Sequence, residues 1–349
     1  MQNMGTKLTR RNFLKLAGMA GFAAVGFRPF GDKEDFENSD NLGRVTIKSI
    51  SVHKQPDEHS KILFQHFRDE VLNIYYETES PKGPEYNPIW YRVFGGFVHR
   101  SNVFRTPIRY NTPVAAFPEV GGIAEVTVPF TQAMRFTAPD QWTPIYRLYA
   151  TSVHWVKALE EGPDGQPWYK LIDELLRLEY HVPAIHLRII DPAELAPLSP
   201  DVPPGEKRIK VKLAQQKMYC YERDKLVLET KICSGVPFFP KDLTPWETPK
   251  GSFNIFSKMP SKHMGDGRLT GNPEDYELPG VPWTSFFEES GVAFHGTYWH
   301  DDFGQRRSHG CINMRSNEAK WLFRWITPNY EPTKMEQTGY GTRVIVSDH

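Results

Sequence analysis

"HGTYWHDDFGQRRSHGCINMR", residues His295 to Arg315, concentrates chemistry that the rest of the chain spreads thinly. It holds three histidines, two aspartates, three arginines and one of the chain's three cysteines. The apolar run "GVAF" precedes it, so His295 reads as the end of a buried strand. His309 stands two residues before Cys311, and Gly310 between them permits a tight turn. A nucleophilic cysteine needs a partner that takes its proton or holds it as thiolate. After Cys311 the only histidine in this chain is His349, so the base is sought upstream. His295, on a rigid element, is the first candidate and His309 the second. Backbone N–H groups around His309 to Cys311 suit a developing oxyanion. The intervening "YWHDDFGQRR" reads as a loop with solvated charges. The competing reading is zinc held by His295, His300, His309 and Cys311, although these spacings match no familiar zinc pattern.

The surrounding sequence predicts strands. "RIKVKLAQQKMYCYERDKLVLETKICSGV" alternates apolar and polar residues and turns at "ERDK", which makes a β-hairpin. A turn centred on Arg223 and Asp224 sets Cys220 opposite Val227 and not opposite Cys233, which argues against a disulfide between the two cysteines. "TPKGSFNIF" is a turn entering a strand, and "GTRVIVSD" is the last strand. "SNEAKWLFRWI" puts Ala319, Leu322, Phe323 and Ile326 on one side of a helix that starts at Ser316 as its cap. "DPAELAPLSPDVPPGEKR" carries five prolines and reads as a stiff linker, placed at 197–206, ahead of a last domain at 207–349.

The motif resembles the signature of the L,D-transpeptidases with a YkuD-type catalytic domain. The matching residues are His295, Gly296, Thr297, Gly304, Ser308, His309, Gly310, Cys311, Ile312, Asn313 and Met314. "TPKGSF" (248–253) and "GVPW" (280–283) resemble two further segments of that family, and the likeness spans roughly 207–347. It implies acyl transfer through a Cys311 thioester on a peptidoglycan stem peptide, with no cofactor and no metal. It makes His295 the base, oriented by the Gly296 carbonyl, and gives His309 and Gly310 to the turn and oxyanion site. Ser308, Asn313 and Arg315 are candidate substrate contacts, and Asn313 reads equally well as a turn stabiliser. Acceptors compatible with this chemistry are a stem amine, a lipoprotein lysine, a D-amino acid or water, the last giving an L,D-carboxypeptidase. A sortase-like transpeptidase and a non-catalytic cell-wall-binding protein are the rival classes.

Upstream, short strands recur. "VTIKSISVHKQP", "EVLNIYYETES" and "IWYRVFGGFVHRSNV" suggest a small barrel at 42–106, which resembles a bacterial SH3-like module. "SVHWVKALEEGPDGQPWYKLID" repeats the pattern, with Trp168-Tyr169 matching Trp90-Tyr91, and suggests a connector plus second module at 107–196. Core packing is the preferred role for both tryptophans. The expected fold class is therefore mainly β: two small SH3-like barrels, then a β-rich catalytic domain with one clear helix. Residues 1–41 read as an export signal and linker, because Arg10-Arg11 ahead of the apolar run Leu16 to Phe27 resembles a Tat signal. That implies a periplasmic or envelope location, with membrane attachment only if the signal stays uncleaved. The 349-residue chain has 39% hydrophobic and 24% charged residues and zero formal net charge, so nucleic acid is not an expected partner.

Overall fold

A computed structural model describes residues 41–117, 121–138, 141–239, 245–273 and 275–349. The proposed export signal lies outside them. Among the described residues the chain is mainly β with one α-helix, α1 (Ser316–Trp325). No described helix is long and apolar enough to cross a membrane.

The first β unit contains β1 (Leu42–Val45), β2 (Ser49–His53), β3 (Ile62–Phe67), β4 (Val71–Asn73), β5 (Tyr76–Glu79), β6 (Ile89–Val93), β7 (Gly96–His99) and β8 (Val103–Thr106). They form a five-stranded sheet, β3-β2-β7-β6-β5, and a three-stranded sheet, β4-β1-β8. Alternation sends Val52, Tyr91, Val93, Val98 and Val103 into one core. Trp90 is fully buried beside His53 and His99, in keeping with a packing role.

The second unit is a seven-stranded sheet with the order β11-β10-β14-β13-β12-β9-β15. Its strands are β9 (Gly122–Val126), β10 (Phe130–Ala138), β11 (Gln141–Tyr149), β12 (Val153–Glu161), β13 (Pro167–Ile172), β14 (Glu179–Pro183) and β15 (Leu187–Ile189). The expected hairpin is present: Glu161 pairs with Pro167, and Gly165 takes a left-handed φ of 69° in the turn.

The third unit has two five-stranded sheets. One is ordered β18-β17-β16-β25-β19 and the other β23-β22-β21-β20-β24. The first joins β16 (Lys207–Lys212), β17 (Lys217–Glu222), β18 (Lys225–Lys231), β19 (Gly251–Asn254) and β25 (Arg343–Ser347). The second joins β20 (Ser257–Gly265), β21 (Glu277–Phe286), β22 (Ala293–Thr297), β23 (Ile312–Arg315) and β24 (Gln337–Thr338). Helix α1 buries Ala319, Leu322, Phe323 and Trp325 against β21, β22 and β23.

Three local expectations are corrected. In the β17–β18 hairpin Cys220 pairs with Leu228, one residue beyond Val227, because a bulge between Cys220 and Tyr221 inserts a residue. Cys220 and Cys233 are both buried and free. Ser316 is the first residue of α1 and not its cap; Arg315 precedes the helix, and the Ser316 hydroxyl donates to the Thr297 carbonyl at 3.1 Å. The strand that starts before His295 runs on to Thr297, so His295 is at its centre.

The proline-rich segment is laid along α1. Leu195 is buried in the third unit's core, Leu198 N–H donates to Arg324 O at 3.0 Å, and Lys207 Nζ donates to Leu198 O and Trp325 O at 2.9 and 3.0 Å.

Candidate active site

Strands β22 and β23 run parallel, with Phe294 opposite Ile312 and His295 opposite Asn313. Side chains alternate across a strand, so Phe294, Ile312 and Met314 enter the core. The opposite face carries His295 and Asn313, and Cys311 joins them one step before β23 begins. The site therefore stands on a rigid parallel pair whose reverse side is packed core.

His295 is buried. Its Nδ1 lies 3.0 Å from Gly296 O. A carbonyl only accepts, so Nδ1 carries the proton and Nε2 presents its lone pair. Burial lowers the imidazole pKa to about 4, against a smaller opposing effect of the Gly296 carbonyl. At neutral pH His295 is an uncharged base. The Trp299 ring lies 5.7 Å away, tilted by 37°.

Cys311 is partly exposed. The thiol donates to Gly291 O at 3.7 Å. Desolvation pushes its pKa up to about 11, and the Ala293 N–H works the other way. No hydrogen bond joins the two described side chains at rest. Burial thus works against the charged form of both side chains.

The turn before Cys311 is locked from several sides. Gly310 N–H donates to Ser308 Oγ at 3.2 Å, and Ser308 Oγ donates to Cys311 O. Thr248 Oγ1 donates to Gly310 O at 2.7 Å and accepts from Gly235 N–H at 2.9 Å. A Cβ at Gly235 would lie 1.9 Å from Trp246 O and 2.9 Å from Gly310 Cα, so only glycine fits there. Gly310 has a φ of 121°, which side-chain-bearing residues rarely adopt. The Gly310 N–H assigned to an oxyanion is therefore engaged by Ser308 in the resting state. Ser308 shapes the turn.

His309 is exposed. Its ring lies 3.9 Å from that of Trp246 and 5.4 Å from that of Tyr276. Burial lowers its pKa. Asn313 faces inward to His300, which is fully buried. Asp302 N–H donates to His300 Nδ1 at 3.2 Å, so the ring proton sits on Nε2, 3.1 Å from the Asn313 amide. Asn313 Oδ1 otherwise has no partner among the described residues, and the amide is best satisfied with its oxygen toward the ring. Asn313 thus supports the turn. Arg315 lies 3.8 Å from Asp301 and 3.6 Å from Glu318, and stacks over Phe303 at 4.6 Å.

The loop between His295 and Ser308 is not a solvated polar segment. Asp302 is 2% and Asp301 8% exposed, because the loop docks on the first β unit. Arg100 Nε pairs with Asp301 at 2.5 Å, and Asn87 Nδ2 donates to Asp302 Oδ1 at 3.1 Å. Arg307 Nη1 pairs with Asp302 at 2.7 Å, and Arg44 Nη2 donates to Tyr298 O at 2.7 Å. Cys233 Sγ donates to Asp302 O at 2.9 Å, and burial raises its pKa to about 12, so it is a structural thiol. The four proposed zinc ligands are not gathered. Among the described residues no cluster of three or more His, Cys, Asp or Glu is placed to hold a metal ion.

Sequence reading missed the support of this turn. Only the "TPKG" turn marked Thr248, while Gly235 and His300 gave no local signal.

Residues 206–346 match the YkuD family, described as an L,D-transpeptidase catalytic domain. A curated relative, "Putative L,D-transpeptidase YqjB" of Bacillus subtilis (strain 168), is 27% identical over 128 residues. The match covers 35% of this chain and 64% of that relative's length. The solved catalytic domain of an E. faecium L,D-transpeptidase is 27% identical, covering 40% of this chain and 96% of its own, with TM-score 0.29. The L,D-transpeptidase LdtMt1, solved in complex with imipenem, is 17% identical over 70% of this chain and 90% of its own, with TM-score 0.32. The likeness to this family thus lies in the segment 206–346, which holds His295 and the turn that carries Cys311.

Proposed function

We propose that this chain is a peptidoglycan L,D-transpeptidase that acts through a Cys311 thioester. The observation that carries the reading is His295 with its proton fixed on Nδ1 by Gly296 O, its free Nε2 on the same strand face as Cys311. In the first half-reaction the Cys311 sulfur bonds to the carbonyl carbon of the stem's scissile amide, and its proton passes to His295 Nε2. The tetrahedral oxyanion collapses, the C–N bond breaks, and His295 returns the proton to the leaving D-amino acid. An acceptor amine then attacks the thioester by the same route in reverse. For the oxyanion to take the Gly310 N–H, Ser308 must release it.

In this reading 42–106 is an SH3-like module, 107–196 a connector plus a second such module, 197–206 the proline-rich link and 207–349 the catalytic domain. A Tat-type signal exports the chain to the periplasm or envelope. Stem peptides are the substrate, with a stem amine or a lipoprotein lysine as acceptor; water as acceptor makes it an L,D-carboxypeptidase.

The test is incubation of the full chain with a carbapenem, followed by intact-mass analysis. A covalent adduct on wild type that disappears in Cys311→Ala supports the thioester route. A folded wild type that takes no adduct removes it and favours an inert, wall-binding role.

A further inference from the structure

A cavity of about 80 Å³ lies where the three β units meet. Three arginines line it: Arg44 and Arg68 from the first unit and Arg147 from the second. Tyr149, Tyr298 and Trp299 complete the wall toward the catalytic strands. One carboxylate, Asp69, is shared by two of the arginines, at 3.1 Å from Arg44 and 2.5 Å from Arg147. Arg44 is 2% exposed and packs over the Tyr149 ring at 4.0 Å; its Nε has no partner among the described residues. A buried guanidinium with an unused donor is costly unless an acceptor arrives.

The acidic groups of the opposite wall are already engaged. Glu277 accepts from His263 Nε2 and from Arg268 N–H, both at 2.7 Å. Asp275 accepts from Thr270 at 2.5 Å and from Asn272 at 3.1 Å. The lining thus sets three guanidinium groups, two of them sharing Asp69, opposite carboxylates that already have donors. A space of about 10–15 Å³ on this measure already holds one water, so the cavity leaves room for a group of carboxylate size or larger. It also adjoins the reaction centre. Trp299 packs on His295, and Tyr276, the residue before Glu277, packs on His309.

We propose that this cavity is a carboxylate subsite for a peptide stem, formed jointly by the first and second β units and the catalytic unit. The proposal rests on the peptidoglycan reading of Cys311. Guanidinium groups recognise carboxylates by charge-assisted hydrogen bonds, and both upstream units supply them here. Because Arg44 and Arg147 come from outside the segment 206–346, the subsite makes the two upstream units part of substrate recognition.

The experiment is calorimetric titration of the full chain carrying Cys311→Ala, which binds without turnover. The probes are an N-acetylated stem tetrapeptide with free carboxylates, the same peptide amidated, and inorganic phosphate. The acid is expected to bind about tenfold tighter than the amide, the scale of one charge-assisted contact. Adding Arg147→Gln should erase that preference, and Arg147→Lys should restore part of it, with thermal melting confirming that each variant is folded. Equal binding of acid and amide, a preference untouched by Arg147→Gln, or phosphate binding as tightly as the peptide acid would overturn the subsite. Carbapenem acylation of wild type, run alongside, reports separately on the thioester reading.

Discussion

The two upstream β units hold the catalytic unit in different ways. The second has a core of its own around Val126, Leu148, Tyr169 and Val182, and shares another: Ile123, Val153, Trp155, Ile190 and Leu195 pack in one cluster with Ile209, Trp283, Phe294 and Ile312. The first keeps its own core and touches the catalytic unit through polar contacts, among them Arg44 to Tyr298 O, Asn87 to Asp302 and Arg100 to Asp301. Apolar burial is non-directional and supplies stability, whereas ion pairs and hydrogen bonds fix geometry. The second unit is therefore a structural partner of the unit that carries His295 and Cys311. The first holds the loop that runs from His295 toward Cys311.

The largest effect should come from breaking the shared core. Trp155 is 1% exposed and lies in that cluster. Trp155→Ala should cost about 3–5 kcal/mol, as large aromatic truncations in cores do. Denaturant unfolding should show the second and third units still unfolding together. Independent unfolding of the second unit, with the catalytic unit unaffected, would show that the cluster is not one core.

The polar interface should give a smaller loss of stability and a clearer loss of activity. Arg100→Ala leaves Asp301 largely buried with only Arg315 nearby, at 3.8 Å. The expected cost is about 1–3 kcal/mol, with acylation slowed about tenfold as the loop loosens. The pH profile separates positioning from ionisation. With His295 at about 4 and Cys311 at about 11, wild-type acylation should be nearly flat from about pH 5 to pH 10. Arg100→Ala should lower that plateau without tilting it. A wild-type rate that climbs with a midpoint near the ordinary thiol value of about 8.5 would mean that a thiolate attacks, contrary to the neutral pair.

Much of this architecture was legible because alternation and chain order are local signals. "GVAFHGT" announced a buried strand carrying His295, and the absence of any useful histidine downstream directed attention to it. The helix face Ala319, Leu322 and Phe323 followed from spacing alone. What alternation could not show is which residues meet across the fold. Asp301 and Asp302 looked solvated because their partners, Arg100 and Asn87, lie some two hundred positions earlier. Gly235 is required by Trp246 O and Gly310, and no pattern near residue 235 predicts that approach. Bulges such as the one at Cys220 also escape pattern reading, since a single inserted residue shifts the register by one.

The second interface also carries polar contacts, among them Lys262 to Glu174 at 2.7 Å, and one of these contacts gives the smallest effect expected. His263 lies between Asp173 of the second unit and Glu277, at 2.6 and 2.7 Å, with the ring 1% exposed. Both ring nitrogens face carboxylates, so the bound form is imidazolium. Burial alone would lower its pKa; hydrogen bonds and charge from Asp173 and Glu277 outweigh that and raise it. Asp173 pays the same burial penalty, and its bond to His263 turns the balance toward a lowered pKa. The signs set the window. The His263 contribution is complete below the unfolded histidine value of about 6.5 and is lost as pH rises through the raised folded value. The Asp173 contribution is present above the unfolded carboxylate value of about 3.9 and is lost as pH falls below it. His263→Gln should therefore lower the melting temperature most between about pH 4 and pH 6.5, and less in alkaline buffer. If the gap between wild type and variant widened as the pH rose, the histidine would be packed there neutral, and its pairing with Asp173 and Glu277 would add no charge to the second interface.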